Sequence, residues 1–202
     1  MPDSEARNRL ILGHLDRLEA DLASTAAAVA ELRALIAQPQ ESGTVEHRTV
    51  PPHAAVAVHE TVDREDLLDW WRGALGELHA IALAQGLELT GVPGGMYAGS
   101  IFQHDRGQAT VFIPTNDTPR AIGRVERFTV PAAELAIMVH RGSLANVDLT
   151  YGRLGAHVMR HEISVEGPLR EDYLVGVLDA EDPTSWETEI GWPVFRSDSE
   201  TP

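Results

Sequence analysis

Val45-Glu-His-Arg-Thr-Val-Pro51 returns as Val125-Glu-Arg-Phe-Thr-Val-Pro131, with five of the seven residues unchanged. The two copies also continue alike. Each runs into a second apolar strand, residues 54–59 in the first case and 135–140 in the second. Each then enters a stretch with apolar residues at helical spacing: Leu67, Trp71, Leu75, Leu78 and Ala82, then Leu144, Val147, Tyr151, Leu154 and Val158. A Gly/Pro turn leads into a tyrosine-bearing strand, Gly94-Gly-Met-Tyr97 and Gly167-Pro-Leu-Arg-Glu-Asp-Tyr173. Both copies close on a strand ending in proline, Val111-Phe-Ile-Pro114 and Ile190-Gly-Trp-Pro193. Repetition of a whole supersecondary unit decides the fold class. It is α+β: two β-α-β-β repeats, about 45–118 and 125–196, related by a pseudo-two-fold axis. The groove between two such copies is a natural ligand cleft.

The last strand, Trp186-Glu-Thr-Glu-Ile-Gly-Trp-Pro193, alternates polar with aromatic or β-branched residues, and its proline can stop the ladder. Alternation puts Glu187, Glu189 and Gly191 on one face, and Trp186, Thr188, Ile190 and Trp192 on the other. Counted back from the closing prolines, Glu189 stands where the first repeat has Thr110, and Glu187 where it has Gln108. A symmetric scaffold has no packing reason to carry a carboxylate in one half alone. Such a charge near the axis points to binding or chemistry.

Residues 1–40 read as a separate element. Gly13 is the only glycine between positions 4 and 37, and Leu15, Leu18, Leu22, Thr25, Val29, Leu32 and Ile36 alternate steps of three and four. That narrow seam is the pattern of a dimerising coiled-coil helix. Pro39, Ser42 and Gly43 then mark a linker into a domain spanning 41–202.

Composition excludes several function classes. The 202 residues include 31 acidic and 16 basic side chains, a formal charge of −15, which repels nucleic acid and acidic membrane surfaces. With no cysteine there is no disulfide, thiolate zinc site or cysteine nucleophile. No leader-like or membrane-spanning apolar run is present, and a cytoplasmic location is expected.

The repeated Val-Glu-x-x-x-Val-Pro openings, the Gly-Pro-x-x-x-x-Tyr turn and the final Trp-x-x-Glu-x-x-x-Pro strand resemble the GyrI-like small-molecule-binding domain, over residues 45–196. That domain also forms the effector half of BmrR-like, MerR-type regulators. The leucine-rich helix before it is similar to the MerR-type dimerisation helix. The resemblance implies a homodimer through the N-terminal helix. It also implies an aromatic-walled cleft for lipophilic cations, with a last-strand glutamate, Glu189, at its floor. The walls would come from Tyr97, Tyr173 and Trp70, with Glu187 nearby, whereas Trp71 and Tyr151 fall on core stripes of their helices. A carboxylate in such a cleft is poorly solvated, and a lipophilic cation restores its partner while stacking on the rings. The MerR-type winged helix has no counterpart in this chain, so binding of nucleic acid is not expected.

Other motifs are weaker. His157 and His161 sit one helical turn apart but lack the zincin glutamate, and they read as solvated helix residues; no metal or cofactor is expected. Asp63, Glu65 and Asp66 open the first helix, where they can cap it. The resemblance to the GyrI-like family implies three possible functions: a non-catalytic effector-binding module, a resistance hydrolase that opens cyclopropane-bearing alkylators with Glu189 activating water or holding a developing charge, and an inhibitor of a basic protein.

Overall fold

The computed structural model describes residues 44–120 and 122–195. The expected coiled-coil helix and its dimer seam lie outside them. Within them the first repeat supplies β1 (Glu46–Val50), β2 (His53–Asp63), α1 (Leu67–Gln85), β3 (Gly94–Tyr97), a short α2 (Gly99–His104) and β4 (Arg106–Pro114). The second supplies β5 (Glu126–Val130), β6 (Ala133–Arg141), α3 (Val147–His161), the two-residue β7 (Ile163–Ser164), β8 (Leu169–Val175) and β9 (Glu187–Phe195).

One antiparallel sheet runs β1-β6-β9-β8-β3-β4-β2-β5, with β7 added beside β9. Its centre is the pairing of β3 with β8, the tyrosine-bearing strand of each repeat. Outward from there the halves match, β4 then β2 on one side and β9 then β6 on the other. The outermost strands are exchanged. β1 leaves its own repeat to pair with β6, and β5 pairs with β2. Once these exchanged strands are set aside, each half is the expected β-α-β-β unit. A sixth element, α2, appears in the first repeat alone and was not expected.

Helical spacing does what it should on α1 and α3. The i, i+3, i+4 set of α1 buries Trp71, Ala74, Leu75, Leu78 and Ala82, and α3 buries Thr150, Leu154 and Val158. Helix α1 ends where Gly86 takes a left-handed φ of 63°, its N–H reaching back to the carbonyl of Leu83. Both helices lie on the same face of the sheet. Trp71, Leu75 and Leu78 pack on Val56, Val58, Val111 and Ile113, while Leu154 and Val158 pack on Ala136, Met138 and Ile190. Full burial of a Leu, as at Leu78 and Leu154, contributes about 1.5–3 kcal/mol each. The other face is buried as well: Ala55, Ala57, Phe112 and Val130 form their own cluster.

Two local expectations are corrected. Pro193 does not stop the ladder; β9 runs on to Phe195. The Pro193 carbonyl accepts from Val165 N (3.2 Å), so the Pro193 nitrogen points to that same side. On that side the partners of β8 end at Gly191 and those of β7 begin at Val194, and a missing N–H there costs nothing. The acidic residues before α1 do not cap it. Asp63 binds Arg106 Nη1 through both oxygens (2.7 and 2.6 Å), and Asp66 at the N-cap position makes no side-chain cap bond.

Candidate functional site

The two helices begin side by side over the central strands, and between them lies a cavity of about 220 Å³. Trp71 and Leu67 of α1 face Tyr151 and Val147 of α3 across it, Phe102 of α2 closes one side, and Tyr97 of β3 and Glu171 of β8 line it from the sheet. Arg64, Leu68, Leu144 and Asp148 complete the lining. This is the cleft between repeats that the duplication implies. A larger hollow of about 750 Å³, lined by Met96, Gln103, Gln108, Glu166 and Trp192 among others, contains no buried ionisable group and offers no comparable chemistry.

Glu171 is the buried carboxyl group of the cleft lining. It is 8% exposed, and the Tyr151 hydroxyl donates to its Oε1 at 2.6 Å. The Tyr97 and Tyr173 hydroxyls are hydrogen-bonded to each other at 2.7 Å. Burial pushes the Glu171 carboxyl above its usual range, with Asp172 adding to the rise; hydroxyls of Tyr151, Tyr173 and Tyr97 act the other way. The three phenols are pushed well above theirs, by burial first and then by the charges around them, Glu171 among them. All three therefore remain hydroxyl donors. Trp71 stands edge-on to Tyr173 (5.4 Å between centroids, 74°), and its buried indole N–H has no acceptor among the described residues.

Gly95 explains how so many rings fit. It pairs directly with Glu171 across the centre of the sheet, and each lies two residues before its strand's tyrosine. A Cβ at Gly95 would stand 2.6 Å from the Tyr173 hydroxyl and 2.7 Å from that of Tyr97. The pseudo-two-fold axis thus passes between a glycine and a glutamate.

The residues singled out in the sequence are divided by this arrangement. Tyr97 lines the cleft, and Tyr173 lies behind it through the shared hydroxyl bond. Trp70 turns aside: its Nε1 donates to Glu60 at 2.9 Å. Glu187 lies at the start of β9 and accepts from Arg141 Nε at 3.0 Å. Glu189 does not line the cleft. It pairs with Asp172, one residue from the Glu171–Ile190 pair, so it points to the opposite face of the sheet. There Arg48 of the exchanged strand β1 takes both its oxygens, Nη1 to Oε1 at 2.5 Å and Nη2 to Oε2 at 2.9 Å. Neighbouring Asp172 is raised, by burial and then by the Glu189 charge. Trp71 and Tyr151, assigned to the core by their spacing, are both core and cleft wall. Glu171 escapes the sequence reading because Gly167 and Pro168 make its stretch look like a turn. Its position two before Tyr173 on a strand, hence on the tyrosine's own face, is the available signal.

His157 and His161 stack loosely at 4.8 Å, and His157 Nε2 lies 3.7 Å from Glu162. Among the described residues no group of three or more side chains could hold a metal ion, and no helix is long and apolar enough to cross a membrane.

A curled antiparallel sheet carrying two helices about a pseudo-dyad is a GyrI-like architecture. Solved structures bear this out. The EcmrR C-terminal domain superposes with a TM-score of 0.65 at 19% identity, covering 76% of this chain and 98% of that one. SAV2435 bound to tetraphenylphosphonium gives 0.54 at 17%, covering 75% and 94%. A hydrolase encoded by lin2189 from Listeria innocua gives 0.55 at 16%, covering 82% and 97%. No family model matches the sequence, and no curated protein does. At these identities the likeness concerns the fold, which regulator domains and hydrolases share.

Proposed function

We propose that this chain binds lipophilic aromatic cations in the cleft between its repeats, as the effector-sensing part of a MerR-type regulator, dimeric through its N-terminal helix. The observation that carries the reading is Glu171: a buried carboxylate whose neighbours are hydroxyls and rings, with no cationic partner among the described residues. An incoming cation supplies the missing charge and stacks on Trp71, Tyr151 and Phe102. Flat walls with few directional groups tolerate many ligands. SAV2435, which shares the fold, is itself described with tetraphenylphosphonium.

The test is a titration of tetraphenylphosphonium and neutral tetraphenylmethane analogues against parent, Glu171→Gln and Glu189→Gln. Glu171→Gln should weaken the cation by about 1.5–3 kcal/mol and leave the neutral ligand alone. Glu189→Gln should spare both. Equal losses for cation and neutral ligand would make Glu171 a structural residue; loss of the cation on Glu189→Gln instead would return the charge-reading role to the last strand.

A second reading rests on the same carboxyl. With its pKa raised and a tyrosine hydroxyl at 2.6 Å, Glu171 is also suited to activating water against a cyclopropane-bearing alkylator. A ring-opened, water-added product formed by the parent and not by Glu171→Gln decides for the hydrolase.

A further inference from the structure

The cleft carries a second, opposite charge at its rim. Arg64 and Asp148 line the same cavity as Glu171, but their side chains are 45% and 70% exposed. Exposure makes theirs the outer end and that of Glu171 the inner. In the repeat pattern Arg64 matches Leu144 and Asp148 matches Leu68, and all four line the cavity. Each repeat has therefore kept one apolar rim residue and charged the other. The two charged ones meet across the axis at 3.7 Å, too far for a hydrogen bond. Arg64 is held in place by other means: its backbone N–H donates to the Asp105 carbonyl at 2.8 Å, and its guanidinium lies 5.9 Å from the centre of the Phe102 ring. It is a positioned cation, resting on an aromatic wall, whose fork of donors is largely unspent.

We infer that Arg64 reads an acidic group on the ligand, so that the preferred ligand class is an aromatic body with a cationic group at one end and a carboxylate at the other. The cation goes inward to Glu171, the ring lies among Trp71, Phe102 and Tyr151, and the carboxylate meets Arg64 at the rim. This deepens the binding reading above and rests on it. A ligand carboxylate offers Arg64 two oxygens in bidentate geometry, against the long, solvent-screened contact it has with Asp148. The ring is common to both kinds of ligand, so selection falls on the charge at the outer end.

The probes are 6-(aminomethyl)-2-naphthoate and its methyl ester, identical except for the outer charge, titrated into the full chain. The parent should hold the acid about tenfold more tightly than the ester. Arg64→Gln should erase that preference by weakening the acid while leaving the ester within about twofold, and Arg64→Lys should restore part of it. Asp148→Asn should strengthen the acid in the parent and much less in the Arg64→Gln background, because its effect passes through Arg64. Glu171→Gln should weaken acid and ester alike. Equal affinities in the parent, both lowered by Glu171→Gln, overturn the role of Arg64 and leave the cation site standing. If neither probe binds, or neither responds to Glu171→Gln, both the rim reading and the binding reading beneath it are lost.

Discussion

At the residue scale the decisive pair is Gly95 and Glu171, which face each other at the middle of the sheet. The glutamate is held with its carboxyl raised above the ordinary 4.5, chiefly by burial. The folded protein therefore keeps this proton to higher pH than the unfolded chain does. Stability from that difference is full below the unfolded value and is lost as pH rises through the folded one. Glu171→Gln abolishes the titration while keeping an acceptor for Tyr151. Its Tm should equal the parent's near pH 4 and exceed it by pH 8, with each kcal/mol gained worth about 2–4 °C at this size. A difference that does not vary with pH would show that Glu171 is solvated in the fold. The glycine is tested by adding one methyl group. Gly95→Ala forces its Cβ into the Tyr97–Tyr173 hydroxyl pair, at 2.6 and 2.7 Å, and should cost about 1–3 kcal/mol in chemical denaturation.

At the scale of elements, β1 and β9 show what a sequence reveals and what it withholds. The existence of the strands was legible, because alternation is local and Glu187 to Trp192 carries it plainly. So were the core faces of α1 and α3. The partners of the strands were not. Nothing in Val45 to Pro51 says that β1 joins β6 of the other repeat, since a strand's pattern records burial and not neighbours. Glu189 lies on the face away from the cleft, paired with a strand that its own repeat does not supply. Its asymmetry between repeats is real, but the charge that balances it, Arg48, arrives on the exchanged strand. Symmetry-breaking charge can serve a joint as well as a site. Arg48→Leu should leave the Glu189 carboxylate, 7% exposed, without its cation and cost about 1–3 kcal/mol or more. Replacing both residues by leucine should recover most of that loss, read as the denaturation midpoint at constant m. If the double variant is no better than the single, the pair is not the unit that matters.

For the molecule as a whole, the strand exchange makes the repeats inseparable. A chain of residues 44–120 alone leaves β1 without β6, β2 without β5 and β3 without β8. It should show no cooperative unfolding as a monomer, and a sharp monomeric transition would mean that the exchange is dispensable. Charge is the other global property. With 31 acids against 16 bases, the chain should not bind random duplex DNA at physiological salt, and salt-sensitive micromolar binding would contradict that.

The axis through Gly95 and Glu171 bears on how such a cleft can come to exist. In a homodimer of half-length chains, whatever residue occupies this place faces its own copy. A glutamate there would bring two buried carboxylates together, each raising the other's pKa until one kept its proton. A glycine there would bring none. Joining the halves in one polypeptide lifts that constraint, because the two positions are then encoded separately. The cleft's single buried carboxylate is therefore a property that joining the repeats in one polypeptide makes heritable. The chain could equally have carried the charge at position 95 and the gap at position 171, so exchanging the two residues poses the mirror-image binding site to the same fold.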